Sequence, residues 1–222
     1  MNAYTGVVEP GQRADVRQLQ DLTIAKFAVS AMKNNCYLLR CRKTKEQLLI
    51  DAADESDRIL TEVTNPNHGG GPLKTVVTTH RHWDHVRALQ TVVDATGAAS
   101  MAHREDAGHI PVVTKRLDEG DIVTVGHCRL SVIHLVGHTP GSIALRYDDP
   151  AGHSHLFTGD SLFPGGLGKT TNPRDFQTLF RDVTTKLFDA ADDDTWVYPG
   201  HGNDTTLGAE RPQLPLWKKR GW

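Results

Sequence analysis

Apolar and polar positions divide the chain into short extended runs and a few stretches of helical period. Leu22-Thr23-Ile24-Ala25-Lys26-Phe27-Ala28-Val29 reads as a strand, Cys36 to Arg40 as a second, and Gln47-Leu48-Leu49-Ile50-Asp51 as a third. Asn34 and Asn35 mark a turn before the second. Asp54 to Val63 puts Ile59, Leu60 and Val63 on one helical face, and Pro66 with Gly69-Gly70-Gly71-Pro72 ends that helix in a loop. Leu73 to Thr79 is the next strand. From Trp83 to Ala95, Val86, Leu89, Val92 and Val93 recur at helical spacing, with Gly97 as the stop. Ser100 to Ala102 is a short strand, and Arg104 to Gly108 is helix or loop.

The pattern then changes to successive strands separated by Gly, Asp and Pro: Asp121 to Val125, Arg129 to Val136, Ser142 to Tyr147 and His155 to Thr158. A last helix starts at Asn172, a capping residue, with Pro173 at the first helical position and Asp175 in the first turn. Phe176, Leu179, Phe180, Val183 and Leu187 form its core-facing stripe. Thr195 to Tyr198 is a final strand before Pro199-Gly200-His201-Gly202, and about twenty residues follow. Both halves are strand-rich and then helical, which points to an α/β (α+β) fold with two stacked β layers and helices outside.

Composition narrows the function classes. A formal net charge of −2 gives no electrostatic case for nucleic acid or an anionic membrane. Residues 1–20 are polar, carrying Glu9, Arg13, Asp15 and Arg17, and read as a leader without the apolar core of a signal peptide. No apolar run is long enough to span a bilayer. Cys36, Cys41 and Cys128 are odd in number and lack a Cys-x-x-Cys pair, so buried thiols in a reducing compartment, a cytoplasmic setting, are expected.

The chemistry concentrates in His80-Arg81-His82-Trp83-Asp84-His85, which follows the strand Leu73 to Thr79. On extended backbone His80 and His82 project to one side, while Asp84 and His85 sit where the chain turns into the next helix. Three later stretches each pair a candidate ligand with a sharp turn at a strand end: Gly137-His138-Thr139-Pro140-Gly141, Thr158-Gly159-Asp160-Ser161 and Pro199-Gly200-His201-Gly202. Imidazole with carboxylate suits zinc, and also iron or manganese. His68, His103, His109, His127, His134, His153 and His155 match no motif and read as structural or solvated. Trp83 reads as a helix-packing or pocket-wall residue.

From about Leu22 to His201 the chain resembles the metallo-β-lactamase fold superfamily and, within it, glyoxalase II and related thioester hydrolases. The resemblance rests on the His-x-His-x-Asp-His motif and the three downstream turns. It implies a four-layer αββα sandwich with the metal site at the edge between the two sheets. It also implies that His80, His82 and His138 bind one ion, that Asp84, His85 and His201 bind a second, and that Asp160 bridges them. Asp51, at a strand end, is expected to orient the site from behind, although a surface or turn role is open. Gly159-Asp160-Ser161-Leu162-Phe163 matches the glyoxalase II segment, whereas Gly166-Leu167-Gly168-Lys169 has Leu where that family has Cys. Lys169 is the candidate contact for an anionic substrate group; a solvated loop lysine is the alternative. The separate C-terminal helical domain of glyoxalase II is not expected in residues 21–222, which read as one domain with a short tail; Lys218, Lys219 and Arg220 could take over its basic role.

The expected activity is hydrolysis of a small thiol ester with two divalent ions, zinc first. A water shared between the ions and deprotonated to hydroxide would attack the acyl carbonyl, with Asp84 orienting it. A thiolate leaves without a proton donor, and Phe163, where lactonases of the superfamily carry Tyr, cannot donate one. The rivals are a persulfide dioxygenase with a single iron, a lactonase, phosphodiesterase or β-lactamase-type hydrolase of the same fold, and a non-catalytic binding domain.

Overall fold

The computed structural model describes residues 4–68 and 70–221. Strands β1 (Asp15–Gln18), β2 (Leu22–Val29), β3 (Asn34–Cys41), β4 (Gln47–Ile50), β5 (Leu73–Thr78), β6 (Ala99–His103) and β7 (Lys115–Leu117) join in sequence order into a seven-stranded sheet. Neighbours are antiparallel up to β4 and parallel from β4 to β7. The change follows from the connections. Helices α1 (Ser56–Thr64), α2 (Leu89–Thr96) and α3 (Arg104–Ala107) carry the chain back between the parallel strands.

The second sheet has β8 (Ile122–Val125), β9 (Cys128–His134), β10 (Ile143–Asp148) and β11 (Ser154–Gly159) in antiparallel succession. A small hairpin, β12 (Leu162–Phe163) with β13 (Gly166–Leu167), follows β11. Helix α4 (Pro173–Val183) then returns the chain so that β14 (Trp196–Pro199) lies parallel to β11, with β15 (Thr205–Thr206) at the edge.

Helices cover the outer faces over the middle of both sheets, so central strands such as β2, β3 and β4 are buried almost throughout and read as near-continuous apolar runs, while edge strands β1 and β7 are largely exposed or half-buried. Alternation assigns the faces. Leu22, Ile24, Tyr37, Leu39, Leu48 and Ile50 meet Leu130, Val132, Leu145, Phe157 and Tyr198 in a core between the sheets. Ala25, Phe27, Leu38 and Leu49 point the other way and pack on Ile59, Val63, Leu89 and Val92 of α1 and α2. Ala144, Leu156 and Val197 pack on Leu179, Val183 and Leu187. The fold is therefore the four-layer αββα sandwich expected from the sequence. Lys26 occupies an inward position of β2 and is fully buried. Its ammonium donates to Gly6 O (2.7 Å), Gly202 O (2.7 Å) and Asp204 Oδ1 (2.6 Å), so no donor of the three is left unmet.

Several expectations are corrected. Residues 15–18, inside the stretch read as a leader, form edge strand β1 on β2. Asn34 and Asn35 are not a turn; they begin β3, fully buried, and the turn is at 30–33. Their amides are used across the fold, Asn35 Nδ2 donating to Pro199 O and Gly202 O, both at 2.9 Å. The continuous helix from Trp83 to Ala95 is broken into a 3₁₀ turn, Trp83–His85, and α2. The break has a cause: Arg87 and Ala88 donate their N–H groups to Ala53 O and Ala52 O at 3.0 and 3.1 Å, tying the segment to the loop after β4. The short tail contains α5 (Leu207–Glu210) and α6 (Leu214–Arg220), and Trp217 of α6 is buried against Phe188. The terminal Trp222 lies outside the described residues. Asn172 caps α4 as expected, its Oδ1 accepting the Asp175 N–H at 3.0 Å. Among the described residues no helix is long and apolar enough to cross a membrane.

Candidate metal centre

The strand ends of both sheets meet at one edge, and each brings a polar side chain. His80 follows β5, and His82 has extended backbone (φ −62°, ψ 140°) at the start of the 3₁₀ turn. Their rings lie 4.8 Å apart, and the ring of His138, from the loop after β9, sits 4.8 and 4.5 Å from them. One ring nitrogen from each falls within 4.8 Å of the other two. A second triad is Asp84, His85 and His201. His85 Nε2 is 3.2 Å from His201 Nε2, and Asp84 Oδ2 is 3.6 and 3.4 Å from those nitrogens. Asp160, just past β11, faces both triads. Its Oδ1 is 3.4 Å from His85 Nε2, and its Oδ2 is 3.6 Å from His138 Nε2 and 3.5 Å from His201 Nε2.

Four of the five imidazoles, all but His82, are oriented by their other nitrogen. His85 Nδ1–H donates to Asp51 Oδ2 (2.9 Å), His138 Nδ1–H to Lys169 O (2.7 Å) and His201 Nδ1–H to Met32 O (2.9 Å). Asp51 also accepts from the Thr79 N–H and hydroxyl at 2.7 and 2.8 Å, which leaves Thr79 Oγ1 to accept from His80 Nδ1–H at 3.1 Å. In all four, Nε2 is left as the free lone pair pointing inward. Two glycines make room for Asp160, Gly200 at its carboxylate and Gly168 at its backbone carbonyl. A Cβ on Gly200 would stand 2.1 Å from Asp160 Oδ1, and one on Gly168 would stand 1.7 Å from Asp160 O.

Electrostatics sorts these groups. Burial, together with neighbouring His85, His138 and His82, holds His80 well below its ordinary pKa, so it is neutral. Burial pushes Asp160 up, but His85, His201 and His80 outweigh it and hold the carboxyl well below the usual range. Burial lowers His85 too, yet Asp160 and Asp51 overcome it and raise it to about 10. The two carboxylates thus demand positive charge at His85, which a cation on Nε2 would supply in place of a proton. His80 Nε2, His138 Nε2 and Asp160 Oδ1 are buried with no hydrogen-bond partner. Three orphaned acceptors in one cluster are costly unless cations take their lone pairs, so the donor set fits divalent metal.

The profile of the metallo-beta-lactamase superfamily matches residues 30–201, a span that holds all seven of these side chains. The chain belongs to the metallo-beta-lactamase superfamily. A hydroxyacylglutathione hydrolase of Polaromonas sp. is 35% identical over 175 residues, covering 78% of this chain and 63% of that protein. Hydroxyacylglutathione hydrolase GloC of Haemophilus influenzae is 29% identical over 215 residues, covering 88% of this chain and 98% of that protein. The chain therefore spans less than two thirds of the first relative and nearly all of the second. Among solved structures, TTHA1623 in a di-iron-bound form superposes with a TM-score of 0.70 at 28% identity, covering 85% of this chain and 98% of that one.

Within this superfamily site the structure brings together His80, His82, Asp84, His85, His138, Asp160 and His201, with Asp51 directly behind His85. The backbone and the side chain of Lys169 face different surroundings. Its carbonyl holds His138, while its side chain is exposed and has no polar partner among the described residues. Trp83 is not packed inside; it is 59% exposed beside Arg87. Two residues were missed. Asn34 Nδ2 donates to Asp84 Oδ2 at 2.9 Å. Asp106, fully buried, accepts from Arg81 N (2.9 Å), Thr139 Oγ1 (2.6 Å) and Gly141 N (2.9 Å). It joins the loop of His80 to His85 with the loop of His138. No motif surrounds either residue, so only the three-dimensional arrangement reveals them.

Proposed function

We propose that this chain is a dinuclear metal-dependent hydrolase acting on a thioester of the hydroxyacyl-thiol kind. The observation that carries the reading is Asp160, one carboxylate within 3.6 Å of imidazole nitrogens of both triads. His80, His82 and His138 would hold one ion, Asp84, His85 and His201 the other, and Asp160 stands between the two sets. Zinc is the expected metal, with iron or manganese as alternatives. The di-iron form of TTHA1623 and the names of the two hydrolase relatives support the two-ion count and the ester.

Bound there, the ions supply Lewis acidity, bringing the pKa of a water toward 7 and polarising the acyl carbonyl. The chain's own residues do the rest. Asn34 fixes the rotation of the Asp84 carboxylate by occupying Oδ2. Asp84 Oδ1, which has no polar partner among the described residues, is the atom placed to orient the attacking water and accept its proton. Asp51 keeps His85 in the tautomer whose Nε2 faces the site. Phe163, with its ring 6.4 Å from that of His201, offers no proton to a leaving group. That suits a thiol, whose pKa near 8.5 lets it depart as thiolate, better than an amine. The exposed ammonium of Lys169, carried by the loop that holds His138, is the contact for an anionic end of the substrate.

The test is metal analysis and thiol release from a hydroxyacylglutathione on one sample. Two ions per chain with thiol release, both lost in Asp160→Ala, is the expected result. A single iron with thiol-dependent oxygen uptake, or a fully metallated sample that leaves the thioester intact, overturns the reading.

A further inference from the structure

Cys41 and Cys128 share a cavity at the opposite end of the sandwich from the histidines. Asn34, at the start of β3, touches Asp84, whereas Cys41 is the last residue of that strand. Seven steps of about 3.3 Å put the two ends about 23 Å apart. The cavity, about 590 Å³, is lined by Asp21, Cys41, Lys43, His127, Cys128 and Tyr147. Cys41 comes from the seven-stranded sheet and Cys128 from the six-stranded one.

The two thiols are brought together by named contacts. Asp21 O accepts the Arg42 N–H at 2.8 Å and the Cys128 thiol at 3.6 Å, so Cys128 sits on the carbonyl that anchors the residue after Cys41. The β8–β9 turn closes over the Cys41 sulfur: a Cβ on Gly126 would stand 2.7 Å from Cys41 Sγ. Gly126 has φ +55°, so only a residue lacking a side chain brings the turn this close without strain. The surroundings of the two sulfurs differ. Burial raises the Cys41 thiol, but the Thr44 hydroxyl and the backbone N–H groups of Thr44, His127 and Lys43 outweigh it and bring it down to about 7. Burial and the adjacent Cys41 push the Cys128 thiol up to about 12. Cys36, packed in the apolar layer under α1, is likewise pushed up to about 12 by burial and serves as an internal comparison.

We propose that Cys41 and Cys128 form a dithiol site for hydroperoxides, in which Cys41 attacks, Cys128 resolves, and the disulfide formed ties the two sheets together. The Cys41 thiolate attacks the terminal oxygen of the hydroperoxide; an S–O bond forms, the O–O bond breaks, and the alcohol leaves after taking a proton. Cys128 then displaces the oxygen from the Cys41 sulfenic acid. The S–S bond forms, the S–O bond breaks, and the hydroxide leaves as water with the Cys128 proton. Two thiols lose two electrons and two protons, and one hydroperoxide becomes one alcohol and one water.

The experiment treats the whole metallated protein, freed of added thiol, with stoichiometric hydrogen peroxide and reads intact mass and alkylated peptides. A loss of about 2 Da, a peptide joining residues 41 and 128, and an alkylatable Cys36 are expected. Cys128→Ser should stop at a Cys41 sulfenic acid that dimedone traps, and Cys41→Ser should not react. Alkylation of the parent by iodoacetamide at pH 7 gives a measurement free of folding effects in variants. Cys41 should react roughly a hundredfold faster than Cys36, its larger thiolate fraction outweighing the lower intrinsic nucleophilicity of a low-pKa thiolate. An unchanged mass, a bridge to Cys36, Cys41→Ser reacting like the parent, or equal alkylation of Cys41 and Cys36 would overturn the proposal.

Discussion

Replacing Asp106 with asparagine keeps volume and shape, and isolates the value of a buried charge that touches no metal-ligand candidate directly. The carboxylate accepts two backbone N–H groups, one on each oxygen, with the Thr139 hydroxyl sharing Oδ2. The Arg81 guanidinium lies 3.7 Å from Oδ1. An amide has one acceptor, so whichever way it turns, its NH₂ faces either Gly141 N–H or Arg81 N–H. Thr139 can turn its hydroxyl to Ser142 Oγ, 2.7 Å away, but a backbone N–H has no such freedom. One orphaned N–H costs about 1–3 kcal/mol, and the surviving bond loses roughly 1 kcal/mol of charge assistance. The total is about 2–4 kcal/mol, which for a chain of this size lowers the melting temperature by roughly 5–15 °C. Because Asp106 couples the loop of His80 and His82 to that of His138, metal affinity should also fall about 10–100-fold. Calorimetry and metal titration of Asp106→Asn against the parent test both numbers. A variant melting within a degree of the parent, with unchanged metal affinity, would refute the bracing role.

Gly200→Ala places a Cβ 2.1 Å from Asp160 Oδ1 and 2.9 Å from His85 Cε1, so the carboxylate must move. The expected outcome is loss of at least one ion per chain by elemental analysis, with the far-UV spectrum retained. Chelator treatment should lower the melting temperature by an amount that grows with the logarithm of metal concentration on add-back; a melting temperature indifferent to metal would contradict ions held by both sheets. His155, fully buried beside Tyr198 OH at 2.9 Å, is pushed down to about 3 by burial and by His153 and Arg17. Its folded pKa lies below the unfolded value near 6.5, so the folded state is fully favoured above pH 6.5 and loses stability as pH falls toward 3. At pH 4 the loss is about 3 kcal/mol, and denaturant titrations of His155→Gln should show that much less acid sensitivity than the parent.

The sequence disclosed those parts of the fold and site that are local. Strands buried on both faces produce continuous apolar runs, and the Asn172-Pro173 start of α4 carries its own cap, so both were readable. Gly200 precedes His201 because the backbone there must approach Asp160, and that pairing of glycine with candidate ligand is visible in one dimension. What could not be read is set by distant contacts. Asn34 and Asn35 have turn propensity, but amide bonds to residues of the His201 loop and to Asp84 hold them extended. The helix after His85 is interrupted by carbonyls more than thirty residues earlier. Asp51 was placed correctly at a strand end, yet its left-handed backbone (φ 58°) and its three partners at Thr79 and His85 belong to tertiary structure.

Four of the seven ligand candidates come from the segment after β5, and three come from loops of the second sheet, the last being His201. A chain leaving the ribosome therefore exposes His80, His82, Asp84 and His85 long before the residues that complete either triad. Asn34 pairs with His201 across 167 positions, so the earliest and latest parts of the site are fastened to each other. No nascent fragment ending before β14 can hold a full set of donors. Capture of the second ion is thereby deferred to the final stage of synthesis, whereas the donors of the first, His80, His82, His138 and Asp160, are all present once residue 160 has emerged, and a truncated chain would be left with half a site.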